Sequence, residues 1–220
     1  MTDAKPATAT FISSSGIFVT ARHVFELAED VDALRVLFHD KQRLVPSEVL
    51  YQLHPVLDIA VGYAPLPEGI TAECFLLGVT ALGVGEDVWT FGYGEYAAVE
   101  HEGATPTSKG LTLNLDPAIR KGTVLDILPN GTPHARGSVY VHSSDTPGGN
   151  SGGPLLRAGT ASAPSRAVYG VMSSGVRGET TADDYSISTS IATILDWPLS
   201  FADGLTLREL RDRGVVLFEE

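Results

Sequence analysis

The residues best suited to chemistry are Gly149-Asn150-Ser151-Gly152-Gly153-Pro154, which set one serine in a glycine-lined turn just before the apolar run Pro154-Leu155-Leu156. A serine hydroxyl is a poor nucleophile at neutral pH. It works only when a neighbouring base takes its proton and when fixed donors stabilise the oxyanion that its attack creates. Small residues on both sides let backbone N–H groups turn toward a bound carbonyl, because glycine adopts conformations that a Cβ forbids. The turn therefore points to acyl-transfer chemistry and raises the question of where the base lies. All six histidines (His23, His39, His54, His101, His134 and His142) precede Ser151, and so do Lys5, Lys41, Lys109 and Lys121.

That order excludes a nucleophile elbow of the α/β-hydrolase kind, in which acid and histidine follow the serine. It excludes a downstream serine–lysine dyad as well. The base must come from upstream, in the order His, Asp, Ser or the order Asp, His, Ser. Thr20-Ala21-Arg22-His23-Val24 follows the apolar run Gly16-Ile17-Phe18-Val19, which reads as a buried strand ending in a turn. A histidine at such a junction faces a cleft while packing holds the strand behind it. Only Asp3 precedes His23 among the aspartates, which disfavours the second order. Asp58 opens Asp58-Ile59-Ala60-Val61, an acid immediately before another apolar strand, where an orienting carboxylate is shielded and rigidly held. The order His23, Asp58, Ser151 follows. His54, four residues before Asp58, is the one rival base; otherwise His54 and His142 read as surface or supporting histidines.

The three segments Thr-Ala-Arg-His-Val, Asp-Ile-Ala-Val and Gly-Asn-Ser-Gly-Gly-Pro together resemble the trypsin-like (chymotrypsin-fold) serine peptidases, in particular their bacterial, disulfide-free branch, over roughly residues 8–200. The first strand region, Thr10 to Gly16, departs from the glycine-serine-glycine-phenylalanine pattern of many relatives. The resemblance implies that Ser151 attacks the scissile carbonyl, that His23 moves the proton, and that Asp58 orients His23. The N–H groups of Gly149 and Ser151 would form the oxyanion hole. Asp145, six residues before Ser151, would lie at the base of the specificity pocket beside Thr146. Ser173-Ser174-Gly175 would pair with substrate backbone, with Asp183 or Asp184 near the opposite wall. An acid there would favour Arg or Lys at P1, the residue before the scissile bond. Met172 stands where glutamate-specific relatives carry histidine. Asn150 stands where cleavage-activated zymogens carry an aspartate, so that switch is expected to be absent. Control is then expected from narrow specificity, an inhibitor or a regulatory partner.

Positioning these groups requires a rigid frame. Apolar stretches recur at 34–38, 88–91, 111–115, 139–141 and 168–171, separated by turn residues among 23 Gly and 13 Pro, with little helical periodicity. The pattern predicts an antiparallel all-β fold, and the resemblance implies two antiparallel β-barrels with the active site in the cleft between them. Residues 1–98 would form the N-terminal barrel with His23 and Asp58, 99–200 the C-terminal barrel with Ser151, and 201–220 a helix and tail. The crossover is expected at 94–110, and a flexible hairpin tip at 157–165. Thr206-Leu207-Arg208-Glu209 is a capping box and Gly214 a stop signal, predicting a helix of about two turns. An apolar tail, Val215 to Phe218, would pack on the body or on a partner. The Gly83-Val84-Gly85 and Gly92-Tyr93-Gly94 clusters read as turns, since neither has the lysine or the strand–helix setting of a phosphate loop. Asn130-Gly131-Thr132 likewise reads as a turn. No histidine–cysteine cluster has metal-ligand spacing, and no cofactor is expected.

Residues 1–10 carry no apolar core of a signal peptide, and no run approaches membrane-spanning length. Cys74 is the single cysteine, so no internal disulfide can form. A bacterial cytoplasmic location is therefore expected. A formal net charge of −12 argues against nucleic acid as a partner. The expected partner is a protein or peptide substrate. Two other readings use the same residues: an acyl-ester hydrolase, and a catalytically silent binding or scaffold module.

Overall fold

Thirteen strands form the framework of the described chain. The computed structural model describes residues 7–26, 36–40, 43–69, 71–102, 109–133, 135–146, 149–159, 165–179 and 184–219. The N-terminal lobe contains β1 (Thr10–Phe11), β2 (Ile17–Thr20), the single helical turn α1 (Arg22–Glu26), β3 (Val36–Asp40), β4 (Arg43–Ser47), β5 (Leu50–Leu53) and β6 (Ala60–Tyr63). Four of these strands form an antiparallel sheet in the order β1-β2-β6-β5, and β3–β4 is a separate hairpin. Every residue of β2 is buried, as its Ile-Phe-Val-Thr sequence dictates.

The C-terminal lobe contains β7 (Leu76–Leu77), β8 (Asp87–Glu102), β9 (Lys109–Leu128), β10 (Val139–His142), β11 (Pro154–Arg157), β12 (Ala167–Val176) and β13 (Tyr185–Ser190). Its neighbours run β11-β8-β9-β10-β13-β12, and β12 pairs back with β11, so six strands close a barrel. β7 lies parallel to β12 at the outside. The all-β, two-lobed architecture agrees with the expectation. The expected crossover at 94–110 does not. β8 and β9 pair from Asp87↔Thr123 to Glu102↔Lys109 with one bulge, forming one long hairpin within the second lobe. The boundary expected at 98/99 therefore falls inside β8, whose partners β9 and β11 both belong to the second lobe. Polar and small residues there read as a linker because a hairpin arm lacks a long apolar run. Gly92-Tyr93-Gly94 is also not a turn. It lies at a bulge in β8, where the register shifts between Gly92 and Glu95. Gly83 to Glu86 is a turn as expected, closed by the Glu86 N–H donating to the Gly83 carbonyl at 3.2 Å.

One core cluster crosses the lobes. Ile17, Val19, Ile59 and Val61 pack with Val171 and with Ile191, Ile194, Leu207 and Leu210. The chain end thus returns to the first lobe, and Gln52 donates to the Pro198 carbonyl at 3.0 Å while accepting from the Ser200 N–H at 2.6 Å. α2 (Leu207–Asp212) starts on the expected capping box, with Thr206 and Glu209 bonding reciprocally. The tail packs on the body: the Leu77 N–H donates to the Leu217 carbonyl at 2.8 Å, and the Glu219 N–H to the Leu77 carbonyl at 2.9 Å. Among the described residues no helix is long and apolar enough to cross a membrane.

Candidate active site

The pairing Thr20↔Ala60 sets the C-terminal end of β2 beside the N-terminal end of β6. Residues just beyond Thr20 and just before Ala60 must therefore meet at one end of the sheet, and they do. The Asp58 carboxylate lies 2.9 Å (Oδ2) and 3.1 Å (Oδ1) from His23 Nδ1, and its Oδ1 also accepts from the His23 backbone N–H at 3.0 Å. The Asp58 side chain is only 13% exposed. Anchored twice, the ring is left with Nε2 as the nitrogen available for proton transfer.

His54 is the rival base, and the structure gives it another task. Its Nδ1 accepts from the N–H groups of Val56 (3.2 Å) and Leu57 (3.0 Å), and its ring meets Trp197 edge-on at 4.8 Å. Burial, then the nearby Arg22 guanidinium, lowers its pKa. Arg22 in turn donates to the His54 carbonyl at 2.7 Å. The neutral His54 ring shapes the loop that delivers Asp58.

Ser151 sits between β10 and β11 in a turn closed by the Gly153 N–H donating to the Asn150 carbonyl at 2.9 Å. Gly149 and Gly152 have φ of +92° and +85°, values that favour glycine. A Cβ at Gly152 would also collide with the Thr20 hydroxyl and the Thr8 carbonyl. That crowding comes from the first lobe, which grips the turn. The Thr8 N–H donates to the Ser151 carbonyl at 2.9 Å, and the Thr8 hydroxyl donates to the Gly149 carbonyl at 3.0 Å. The same hydroxyl accepts from the Tyr93 N–H at 3.1 Å, while Thr20 donates to the Thr8 carbonyl at 2.7 Å. Across the turn, Gly152 and Met172 are joined by the Gly152 N–H donating to the Met172 carbonyl at 2.8 Å. No sequence signal marked Thr8, because a lone threonine in an N-terminal segment looks like any other.

Ser151 borders a cavity of about 210 Å³, whereas His23 and Asp58 border a neighbouring one of about 490 Å³. Consecutive residues of β12, Ser173 and Ser174, line the second and the first respectively. The His23–Asp58 pair is formed. No hydrogen bond joins the Ser151 hydroxyl to His23 among the described residues. Such bonds are commonly loose without substrate and tighten when it binds.

The trypsin-like peptidase domain family matches residues 7–161, a span that holds His23, Asp58 and Ser151. The chain belongs to this family. Membership of the trypsin-like peptidases makes it a serine peptidase by class, with a protein or peptide substrate. No curated protein matches the sequence significantly. Solved structures share the fold at low identity. The MamO protease domain from Magnetospirillum magneticum is 15% identical, with a TM-score of 0.60 over 88% of this chain and 89% of that one. Deg5 is 21% identical, with a TM-score of 0.56 over 87% and 81%. The active form of the Rv3671c protease from M. tuberculosis is 16% identical, with a TM-score of 0.57 over 97% and 76%.

In this trypsin-like peptidase the residues expected to read the substrate divide into two groups. Thr146, Ser174 and Gly175 line the cavity beside Ser151 together with Met172 and Arg177, and Ser173 is buried with its hydroxyl 2.8 Å from Thr189 Oγ1. Thr146 Oγ1 lies 2.5 Å from Ser186 Oγ, which donates to the Ser144 carbonyl. Asp145 does not line that cavity. Its carboxylate turns outward to Arg177 at 2.6 Å and is 63% exposed. Arg177 also binds Asp184 at 2.9 Å. The expectation of an acid at the pocket base is corrected on this point: a cation distant in sequence pulls Asp145 to the rim. Asp183 lies outside the described residues.

Asn150 is 1% exposed, and neither polar atom of its amide has a partner. An aspartate here would be a buried, unpaired charge, so the uncharged side chain suits the site. His142 is fully buried, and Ser188, which donates to Met172 Sδ, accepts from its Nε2 at 3.0 Å. Burial pushes the His142 pKa down to about 4. His142 is a neutral core histidine bonded to Ser188 of β13.

Proposed function

We propose that the protein is a serine endopeptidase acting through His23, Asp58 and Ser151. The observation supporting this best is the double anchoring of His23 by Asp58, which holds one imidazole tautomer with Nε2 as base. Ser151 Oγ attacks the scissile carbonyl and passes its proton to His23 Nε2. The oxyanion rests on the N–H groups of Gly149 and Ser151. Collapse of the tetrahedral intermediate breaks the C–N bond, and the leaving amine takes the proton from Nε2. Water, deprotonated by His23, then hydrolyses the acyl-enzyme and regenerates the serine. Losing one oxyanion donor in such a site costs on the order of 100- to 1,000-fold in kcat.

The test is labelling by a fluorophosphonate together with turnover of a mixed peptide library, each compared with Ser151→Ala. Labelling and peptide cleavage by the wild type, both abolished in the variant, are expected. Ester turnover without peptide turnover would make it an acyl-ester hydrolase, and no labelling at all would make it a binding module.

The library also reads the P1 preference. Asp145, Arg177 and Asp184 together carry one net negative charge at the rim, so Lys or Arg at P1 is attracted weakly and must compete with Arg177. The unformed Ser151–His23 bond and the unpartnered Asn150 amide support a site that tightens when a substrate or regulatory partner binds. Full, promiscuous activity of the pure chain would refute that control. The single cysteine, Cys74, supports a reducing, cytoplasmic setting. A fractionation placing the protein outside the cytoplasm would overturn it.

A further inference from the structure

The larger cavity holds a cation that the triad chemistry does not use. Pro55, Val56, Leu57 and Pro133 supply its apolar lining, and the His23–Asp58 pair borders it as well. Every other charge in it is matched: Arg22 binds Glu26 at 2.7 Å, and Asp58 binds His23. Arg136 is exposed, lines the cavity and makes no ion pair or side-chain hydrogen bond among the described residues. Its backbone is well fixed. Gly131 and Arg136 form a β-bridge, and the Thr132 N–H donates to the Ala135 carbonyl at 2.8 Å. In a chain with 27 acidic and 15 basic residues, an arginine at the cleft without a carboxylate partner among the described residues stands out.

We propose that Arg136 forms a subsite for an acidic substrate side chain, Asp or Glu, at the second or fourth residue before the scissile bond. The inference rests on the peptidase reading of the site. A substrate strand pairing with Ser173–Gly175 sends alternate side chains to opposite faces. The side chain before the scissile bond enters the cavity beside Ser151, so the next one back, and the one two further, face the cavity of His23 and Arg136. A guanidinium offers a planar fork to a carboxylate, and its charge is the part of this cavity that no neighbouring carboxylate among the described residues neutralises. The protein as a whole repels acidic peptides, so any such preference must come from this local cation.

The test separates the two readings. Ser151→Ala and Ser151→Ala/Arg136→Gln are titrated with fluorescently labelled hexapeptide mixtures carrying Glu, Gln or Lys at one position at a time. Glu at the second or fourth position is expected to bind roughly three- to tenfold more tightly than Gln, the range of a partly exposed charge pair. The preference should vanish in the double variant and shrink at high salt. Equal binding of Glu and Gln mixtures, or a preference that survives Arg136→Gln, overturns the subsite. Fluorophosphonate labelling of wild type and Arg136→Gln is measured in parallel. Intact labelling with no acidic preference rejects only the subsite, whereas absent labelling rejects the peptidase reading and leaves the binding comparison to judge Arg136.

Discussion

Thr8 joins the two lobes at the Ser151 turn, since its hydroxyl donates to the Gly149 carbonyl and accepts from the Tyr93 N–H. Thr8→Val keeps the shape and removes both bonds. A buried polar group left unpaired costs about 1–3 kcal/mol, and the Gly149 carbonyl sits on the residue whose own N–H is the proposed oxyanion donor. We expect kcat to fall about tenfold, equivalent to roughly 1.4 kcal/mol of barrier, with KM little changed. Steady-state kinetics on the best library peptide checks this, and an unaltered kcat would make Thr8 a packing residue only. His23, Asp58 and Ser151 stand out in the sequence as the proposed triad because each sits in a distinctive local context. Thr8 does not, and Asp145 was misplaced because its partner Arg177 lies 32 residues further on.

The elements vary in how openly they are written. α2 is specified locally: Thr206 accepts from the Glu209 N–H at 3.2 Å, Glu209 accepts from the Thr206 N–H at 2.8 Å, and Gly214 ends the helix with φ of +71°. Thr206→Ala is expected to cost about 1 kcal/mol, lowering the melting temperature by a few degrees without changing kcat, because α2 lies away from the Ser151 cavity. A melting temperature equal to wild type would show that packing of Leu207 and Leu210 alone holds the helix. The β8–β9 hairpin is the opposite case. Its register is set by pairing and by a bulge, and Gly92 is there because a Cβ would strike the Asn150 side chain. Nothing local in Gly92-Tyr93-Gly94 reveals that neighbour.

For the molecule as a whole, His142 couples stability to pH. Its folded pKa of about 4 lies below the ordinary 6.5. Between those values the unfolded chain takes up a proton that the folded chain refuses, so stability falls as pH drops from about 6.5 toward 4. The loss is on the order of 3 kcal/mol. His54, lowered by burial and Arg22, acts in the same direction. Acidification also reduces the repulsion within a chain of pI near 4.8, which opposes the effect. The comparison is therefore with His142→Gln: urea unfolding at pH 7 and pH 4.5 should show a distinctly smaller acid loss in the variant. Equal losses would assign acid sensitivity elsewhere.

By itself the sequence determined the all-β class, the three candidate reactive groups and their chain order, the uncharged Asn150 and the capped terminal helix. Each depends on interactions between residues close in the chain or on a chemical necessity of residue type. Tertiary structure alone decided the long β8–β9 hairpin, the threonine grip on the Ser151 turn, the outward pairing of Asp145 and the lone Arg136 beside the histidine. The first three arise where distant segments touch, and Arg136 faces the cavity of His23 only because the fold brings its loop there; partners so far apart leave no periodicity or spacing for a reader of the chain to find.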